Sequence, residues 1–246
     1  MFLRRITLLK EKIEDFKTYP FSIPAIKGLD TLDFDNEVTF FVGENGSGKS
    51  TLLEAIAYQC RFNTAGGGRN NVYDVDLSQA ALGDYIRISW LPKVTQGFFL
   101  RAESFYLFAS HLDQIARDDP TFNYRGYGGK SLHHQSHGES FLSLFLNQFG
   151  GKGLYLLDEP EAALSPVRQL AFMRIIHQLV SGGNAQFIIA THSPILLGYP
   201  NAKIFTFDSA SIKSIPYENT EHYQITKGFL NRTERYLEDL FRDDQN

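Results

Sequence analysis

The apolar residues of this chain keep two different periods in its two halves. In the N-terminal third they fall in short runs bounded by turn residues, which predicts strands over Phe2–Leu9, a Pro-bounded Phe21–Ile26 and Glu37–Val42. After Lys49 the spacing changes. Leu52, Leu53, Ile56 and Ala57 recur as one face of a helix, so Lys49–Arg61 reads as helical. Three adjacent glycines, Gly66–Gly68, mark a mobile loop over 63–71. Tyr85–Trp90 alternates like a half-buried strand, Gly97–Ala102 reads as another, and Glu103–Arg117 as a helix. Phe122–Lys130 is a second loop, rich in Gly, Tyr and Arg.

The final third alternates strand and helix: a helix near Gly138–Phe149, an all-apolar strand Leu154–Leu157, and a helix entered through Ser165 as N-cap with Pro166 at its first position. A second apolar strand, Phe187–Ala190, follows. Ile204–Phe207 and Ile212–Ile215 are late strands, and the segment from Glu221 is helical. Strands apolar on both faces, alternating with helices, predict a mostly parallel sheet covered on both sides, an α/β fold.

Composition adds limits. Hydrophobic residues are 43% and charged residues 21%, a globular balance that excludes a disordered chain or a rod. The net charge of −4 does not announce a nucleic-acid binder. No apolar run approaches the ~18 residues of a bilayer-crossing helix, so direct membrane insertion is not expected. The single cysteine, Cys60, cannot form an internal disulfide, which suits a cytoplasmic location.

Two segments carry chemistry. Gly43-Glu44-Asn45-Gly46-Ser47-Gly48-Lys49-Ser50 fits the phosphate-loop pattern G-x-x-x-x-G-K-[ST] between a predicted strand and a predicted helix. Glycines let the backbone curl until successive N–H groups face phosphate oxygens, and the helix adds the positive end of its dipole. Lys49 is then placed between the β- and γ-phosphates of ATP, and the Ser50 hydroxyl at Mg²⁺. Further on, Leu154–Leu157 ends in Asp158-Glu159. A carboxylate at the tip of a buried strand beside a phosphate loop can hold Mg²⁺, and a second can orient and deprotonate water. His133, His134 and His137 lack the further Cys or acid at zinc-site spacing.

With these segments in view the chain resembles the ABC-type ATPases, in particular the stand-alone SMC/RecF-like AAA family ATPases of bacteria. The residues are Gly43–Thr51, the strand Leu154–Pro160, the loop Ala190-Thr191-His192-Ser193, and Ser136-His137-Gly138-Glu139-Ser140 at the start of a helix. The phrases Phe98–Phe105 and Gln135–Phe141 resemble an uncharacterised predicted-ATPase group within that family. The resemblance implies a P-loop ATPase head: an α/β sheet, flanking helices and an N-terminal antiparallel β region. It implies one domain over 1–246. Residues 1–42 lead into the phosphate loop, 62–83 and 118–135 are loop insertions, and 221–246 is a helical tail.

The same resemblance implies ATP and Mg²⁺ as cofactors. Gly43 to Thr51 hold nucleotide, Ser50 and Asp158 hold Mg²⁺, Glu159 activates water and His192 reaches the γ-phosphate. It implies an ATP-sandwiched homodimer in which Ser136 and Gly138 act on the partner's nucleotide. Relative to the family's Leu-Ser-Gly-Gly-Gln signature, Gln135, His137 and Glu139 are departures, and Ser165 stands where the family carries Asp. Either Gln96 or Glu103 fills the glutamine-loop role, with Glu103 favoured as a metal contact. Phe16, Tyr19 and Phe21 remain alternatives for adenine stacking. Arg69, Arg125 and Lys130 with Tyr124 and Tyr127 are candidates for DNA contact, although ordinary loop roles suit them better. The ATP cycle could serve DNA repair or phage defence; the alternatives are a transporter subunit and a slow switch recruiting an effector.

Overall fold

The computed structural model describes residues 1–64, 67–68, 81–102, 105–119, 121–134, 137–148 and 152–242. Glu103, Ser136 and most of the glycine loop lie outside the described residues, as do Arg69 and Gln135.

The strands are β1 (Leu3–Leu8), β2 (Thr31–Asp33), β3 (Val38–Val42), β4 (Ile86–Trp90), β5 (Gln96–Arg101), β6 (Gly153–Asp158), β7 (Ala185–Ala190), β8 (Lys203–Thr206) and β9 (Lys213–Ser214). Among the described residues they form two sheets. A six-stranded sheet has the order β5-β6-β7-β3-β8-β9, parallel except for β9, and a three-stranded antiparallel sheet has the order β2-β1-β4. The expected N-terminal antiparallel region is present, but it takes β4 from beyond the first long helix.

The helices are α1 (Pro24–Lys27), α2 (Lys49–Cys60), α3 (Phe105–Asp118), α4 (His137–Gln148), α5 (Pro166–Ser181), α6 (Pro194–Leu197), α7 (Glu221–Asn231) and α8 (Thr233–Leu240). Strands β3, β6 and β7 are buried at every position, which explains their unbroken apolar sequence. Their period of two splits the interior into two cores. Phe41, Leu154, Leu156 and Ile188 face Leu52, Leu53 and Ile56 of α2 and the antiparallel sheet. Phe40, Tyr155, Leu157 and Phe187 face the phenylalanines of α3, α4 and α5.

Parallel pairing without slippage brings the carboxyl ends of four strands level. Arg101 pairs with Asp158, Asp158 with Ala190, and Ala190 with Phe41. Ligands of open α/β sheets bind at this end of the strands. The two sheets are joined by Gln186, a fully buried residue of β7. Its Oε1 accepts from the N–H groups of Phe2 and Leu3 at 2.8 Å each, and its Nε2 donates to the Leu3 carbonyl at 2.9 Å.

One expected element is corrected, and the structure adds detail to several others. Phe21–Ile26 is no strand: Pro24 sets the first turn of α1, which buries Ala25 and Ile26. Ser165 stands at the N-cap of α5 but makes no side-chain cap bond. The described residues of the insertion 118–135 have local structure. They fold into 3-10 turns at Tyr124–Tyr127 and Leu132–His134, with Leu132 buried and Tyr124 bonded to Asp113 at 2.7 Å. Tyr124 and Tyr127 pack with Phe122 against the second core, so they are not an open stacking platform for bases. The described part of the glycine loop is anchored, because Gly67 pairs with Phe99 at the edge of β5.

Candidate active site

The phosphate loop leaves β3 at Gly43 and enters α2 at Lys49. Gly43 and Gly48 have φ of +142° and +103°, a region that side-chain-bearing residues avoid. A Cβ on Gly43 would lie 2.7 Å from Asp208 Oδ1, so the loop can take this path only with glycine there. Asp208, on the turn after β8, accepts from the Glu44 N–H at 2.7 Å and steadies the loop from outside. Lys49 is buried, and its Nζ donates to the carbonyls of Gly43 and Glu44 at 2.6 and 2.7 Å. Burial holds its pKa below the usual lysine value, against the pull of Glu159 and Asp158.

Strand register delivers Asp158 to the first turn of α2, where its Oδ1 accepts from the Ser50 hydroxyl at 3.0 Å. Burial pushes the Asp158 pKa up to about 6, with Arg101 and the Ser50 bond opposing the rise. Arg101, at the carboxyl end of β5, donates to Glu54 of α2 at 2.6 Å, and its Nε stands 3.4 Å from Asp158 Oδ2. Ser50, Arg101, Asp158 and Glu159 line a cavity of about 180 Å³ with Ala162 and Ala163.

Glu159 has φ +51°, the left-handed region, where the chain breaks from β6 into the turn Pro160–Ala163. Its N–H still donates to the Ala190 carbonyl at 2.9 Å, which anchors the reversal. The turn carries Glu161, whose Oε1 accepts from the His192 N–H at 2.6 Å. Burial raises the Glu161 pKa and lowers that of His192. His192 Nε2 lies 3.6 Å from Glu159 Oε1. On the other side of the ring, His192 Nδ1 is 2.8 Å from Nε2 of His222, the second residue of α7.

Lys49, Ser50, Asp158, Glu159 and His192 therefore converge from three separated stretches of chain. Gly138 does not join them on the phosphate loop: it packs beside Ala163 and Arg168, leaving no room for a Cβ. Gln96 lies away from these residues. It pairs with Gly153 at the amino end of β5, about 17 Å along the strand from Arg101. Of the three aromatics, Phe21 is buried against Tyr85 and Phe16 packs on the first core. Tyr19 is exposed, with its hydroxyl 3.3 Å from Thr51 Oγ1. Arg101 and His222 were not singled out from the sequence. Arg101 had one readable signal, its place near the end of a predicted strand; His222 had none.

The residues fit a magnesium-bound polyphosphate. Ser50 and Asp158 supply the hard oxygen donors that suit Mg²⁺. The loop supplies a glycine cradle, a buried lysine and the Ser47 hydroxyl, which is buried with no hydrogen-bond partner.

This fold and site have the form of a P-loop domain, with the phosphate loop at the carboxyl end of a mostly parallel sheet. Residues 12–95 match the family described as "AAA domain", and residues 121–198 match "AAA domain, putative AbiEii toxin, Type IV TA system". A "Putative ABC transporter ATP-binding protein" of Methanothermobacter marburgensis is 27% identical over 80% of this chain and 75% of its own length. "Protein ea59" of Escherichia phage lambda is 37% identical, but over 34% of this chain and 17% of that protein. Among solved structures, the ADP conformation of MJ1267, an ATP-binding cassette of an ABC transporter, superposes with a TM-score of 0.51. It covers 87% of this chain and 90% of that one at 16% identity. In sequence the chain is similar to AAA-domain and ABC-type ATP-binding proteins, and its fold is like that of an ATP-binding cassette. Among the described residues, no helix is long and apolar enough to cross a membrane.

Proposed function

We propose that this protein hydrolyses ATP to ADP and phosphate with Mg²⁺. The observation that carries the reading is the convergence of Ser50, Asp158, Glu159 and His192 on the helix end that follows the phosphate loop. A Mg²⁺ held there would supply charge neutralisation and orientation for the terminal phosphoryl group. Loop N–H groups and Lys49 bind the phosphates, for which Lys49 exchanges its two carbonyl partners. Ser50 and Asp158 hold the metal. Glu159 takes the proton from water, and His192 fixes the carboxylate and water relative to each other. Tyr19 supplies an aromatic face for the base. Glu103 remains proposed as a further metal contact.

Ser136 and the start of α4, with Gly138, act on the nucleotide of a second copy, so ATP binding closes a homodimer. The dimer couples hydrolysis to a DNA or effector partner in the cytoplasm, in DNA repair or phage defence. The names of the archaeal and cassette relatives favour a second reading, the nucleotide-binding subunit of a membrane transporter, which co-purification with a membrane protein would test.

Glu159→Gln is the direct test. It should bind ATP like the wild type while turnover falls by roughly 10²–10⁴-fold. With Mg-ATP its solution mass should double from the 27.9 kDa of the chain. Near-normal turnover discards Glu159 as base, and an unchanged monomer with ATP bound discards the self-paired sandwich.

A further inference from the structure

The first turn of α7 is pinned to the segment that carries His192. Thr220, buried at the N-cap of α7, accepts from the Tyr223 N–H at 3.4 Å and donates to the Tyr217 carbonyl at 2.7 Å. The Tyr217 hydroxyl in turn donates to the carbonyl of Pro194, two residues after His192, at 2.8 Å. His222 projects from this braced turn, and its ring centroid lies 5.0 Å from that of His192.

A 2.8 Å contact between two imidazole nitrogens requires a proton on one and a lone pair on the other. The two choices differ at the far end of the His192 ring. If neutral His192 donates from Nδ1, its Nε2 carries only a lone pair. That lone pair faces Glu159 Oε1 at 3.6 Å, in a buried position with no hydrogen-bond partner. Two acceptors then oppose each other, and the buried histidine nitrogen is left without a donor. If His222 donates from Nε2, His192 carries its hydrogen on Nε2 and meets the carboxylate as a donor. Burial lowers the pKa of both histidines, so the neutral forms are the relevant ones at pH 7.

We infer that His222 is a positioning residue that donates to His192 Nδ1, holds His192 as the Nε2–H tautomer, and so turns a donor toward Glu159. The inference rests on the roles of Glu159 and His192 proposed above. It gives the helical segment from Glu221 a part in the ATP site.

The test is nitrogen NMR on the full chain labelled at histidine, with His192 assigned by the signals lost in His192→Gln. Wild type should show a protonated Nε2 and an unprotonated Nδ1 on His192. His222→Phe, which keeps a ring but removes the donor, should give mixed tautomers. It should also lower kcat by roughly 10–100-fold, with KM for ATP moved less than about twofold. His222→Gln places an amide N–H where the imidazole Nε2–H was, and should restore both the spectrum and most of kcat. A protonated Nδ1 in wild type overturns the inference. So does a His222→Phe protein with unchanged His192 signals and kcat. If His222→Phe does not fold, the wild-type tautomer decides alone. If Glu159→Gln and His192→Gln both hydrolyse ATP at the wild-type rate, the roles given to Glu159 and His192 fail, while the tautomer spectrum still judges the His222 contact.

Discussion

Asp158 and Glu159 are neighbours in sequence, yet they belong to regions held in opposite ways. Asp158 ends a fully buried strand, locked by register between Arg101 and Ala190, and its charge is balanced by Arg101 and the Ser50 hydroxyl. Glu159 sits one residue later on a left-handed backbone, half exposed, facing a histidine whose other neighbour arrives from the C-terminal helices. The first region is governed by desolvation: a carboxylate is kept out of water and must be neutralised by fixed groups. The second is governed by hydrogen-bond direction: what matters is which nitrogen carries a proton. Adjacent acids thus become suited to different work, one to hold a cation and the other to move a proton.

The strongest way to break this comparison is Arg101→Ala. It leaves Glu54 and Asp158, both buried, without their shared cation and should cost about 3–5 kcal/mol, read by denaturant unfolding in EDTA at pH 7. A loss below about 1 kcal/mol would mean that the acids are neutralised some other way.

Next in size is the pH dependence of Asp158. Its folded pKa, about 6, lies above the unfolded value of 3.8, so the folded state binds the proton more tightly. The penalty is therefore absent below the unfolded pKa, grows between about pH 4 and 6, and is complete at pH 7, where it is on the order of 3 kcal/mol. Asp158→Asn in EDTA should be the more stable protein at pH 7. The advantage should shrink as pH falls from 6 toward 4. An advantage independent of pH would remove desolvation as the governing term.

The smallest effects sharpen the histidine side. Thr220→Ala removes a side-chain cap bond at α7 and should cost about 1 kcal/mol. Ser165→Ala removes none at α5 and should stay within about 0.5 kcal/mol. Thermal unfolding of the two variants side by side checks the contrast; equal losses would deny the special bracing of α7.

The phosphate loop and the Asp158-Glu159 strand end were readable from the chain, while the His192 loop was reached through the family resemblance. Each is a contiguous segment whose backbone geometry follows from its own residues: glycines for a loop that must curl, an apolar run for a buried strand, a polar tip where it emerges. The same reasoning went wrong where a local signal was ambiguous. Phe21–Ile26 has strand-like residues, but Pro24 turns it into α1. Tyr124 and Tyr127 look like loop aromatics, but Phe122 and the second core absorb them.

Pairings between distant segments were not readable in this way. Gln186 clamping the first strand, Arg101 beside Asp158, and His222 on His192 depend on strand order and on where a helix far along the chain returns. A motif constrains φ and ψ over a few residues, and periodicity constrains which face is apolar. Neither contains the distance between residues 30 or more positions apart, which is set by register across the sheet and by packing of helices on its faces. The chain's own pattern thus determined the α/β class, the phosphate loop and the acidic strand end. The folded packing alone chose the arginine that balances one acid and the histidine that orients the other.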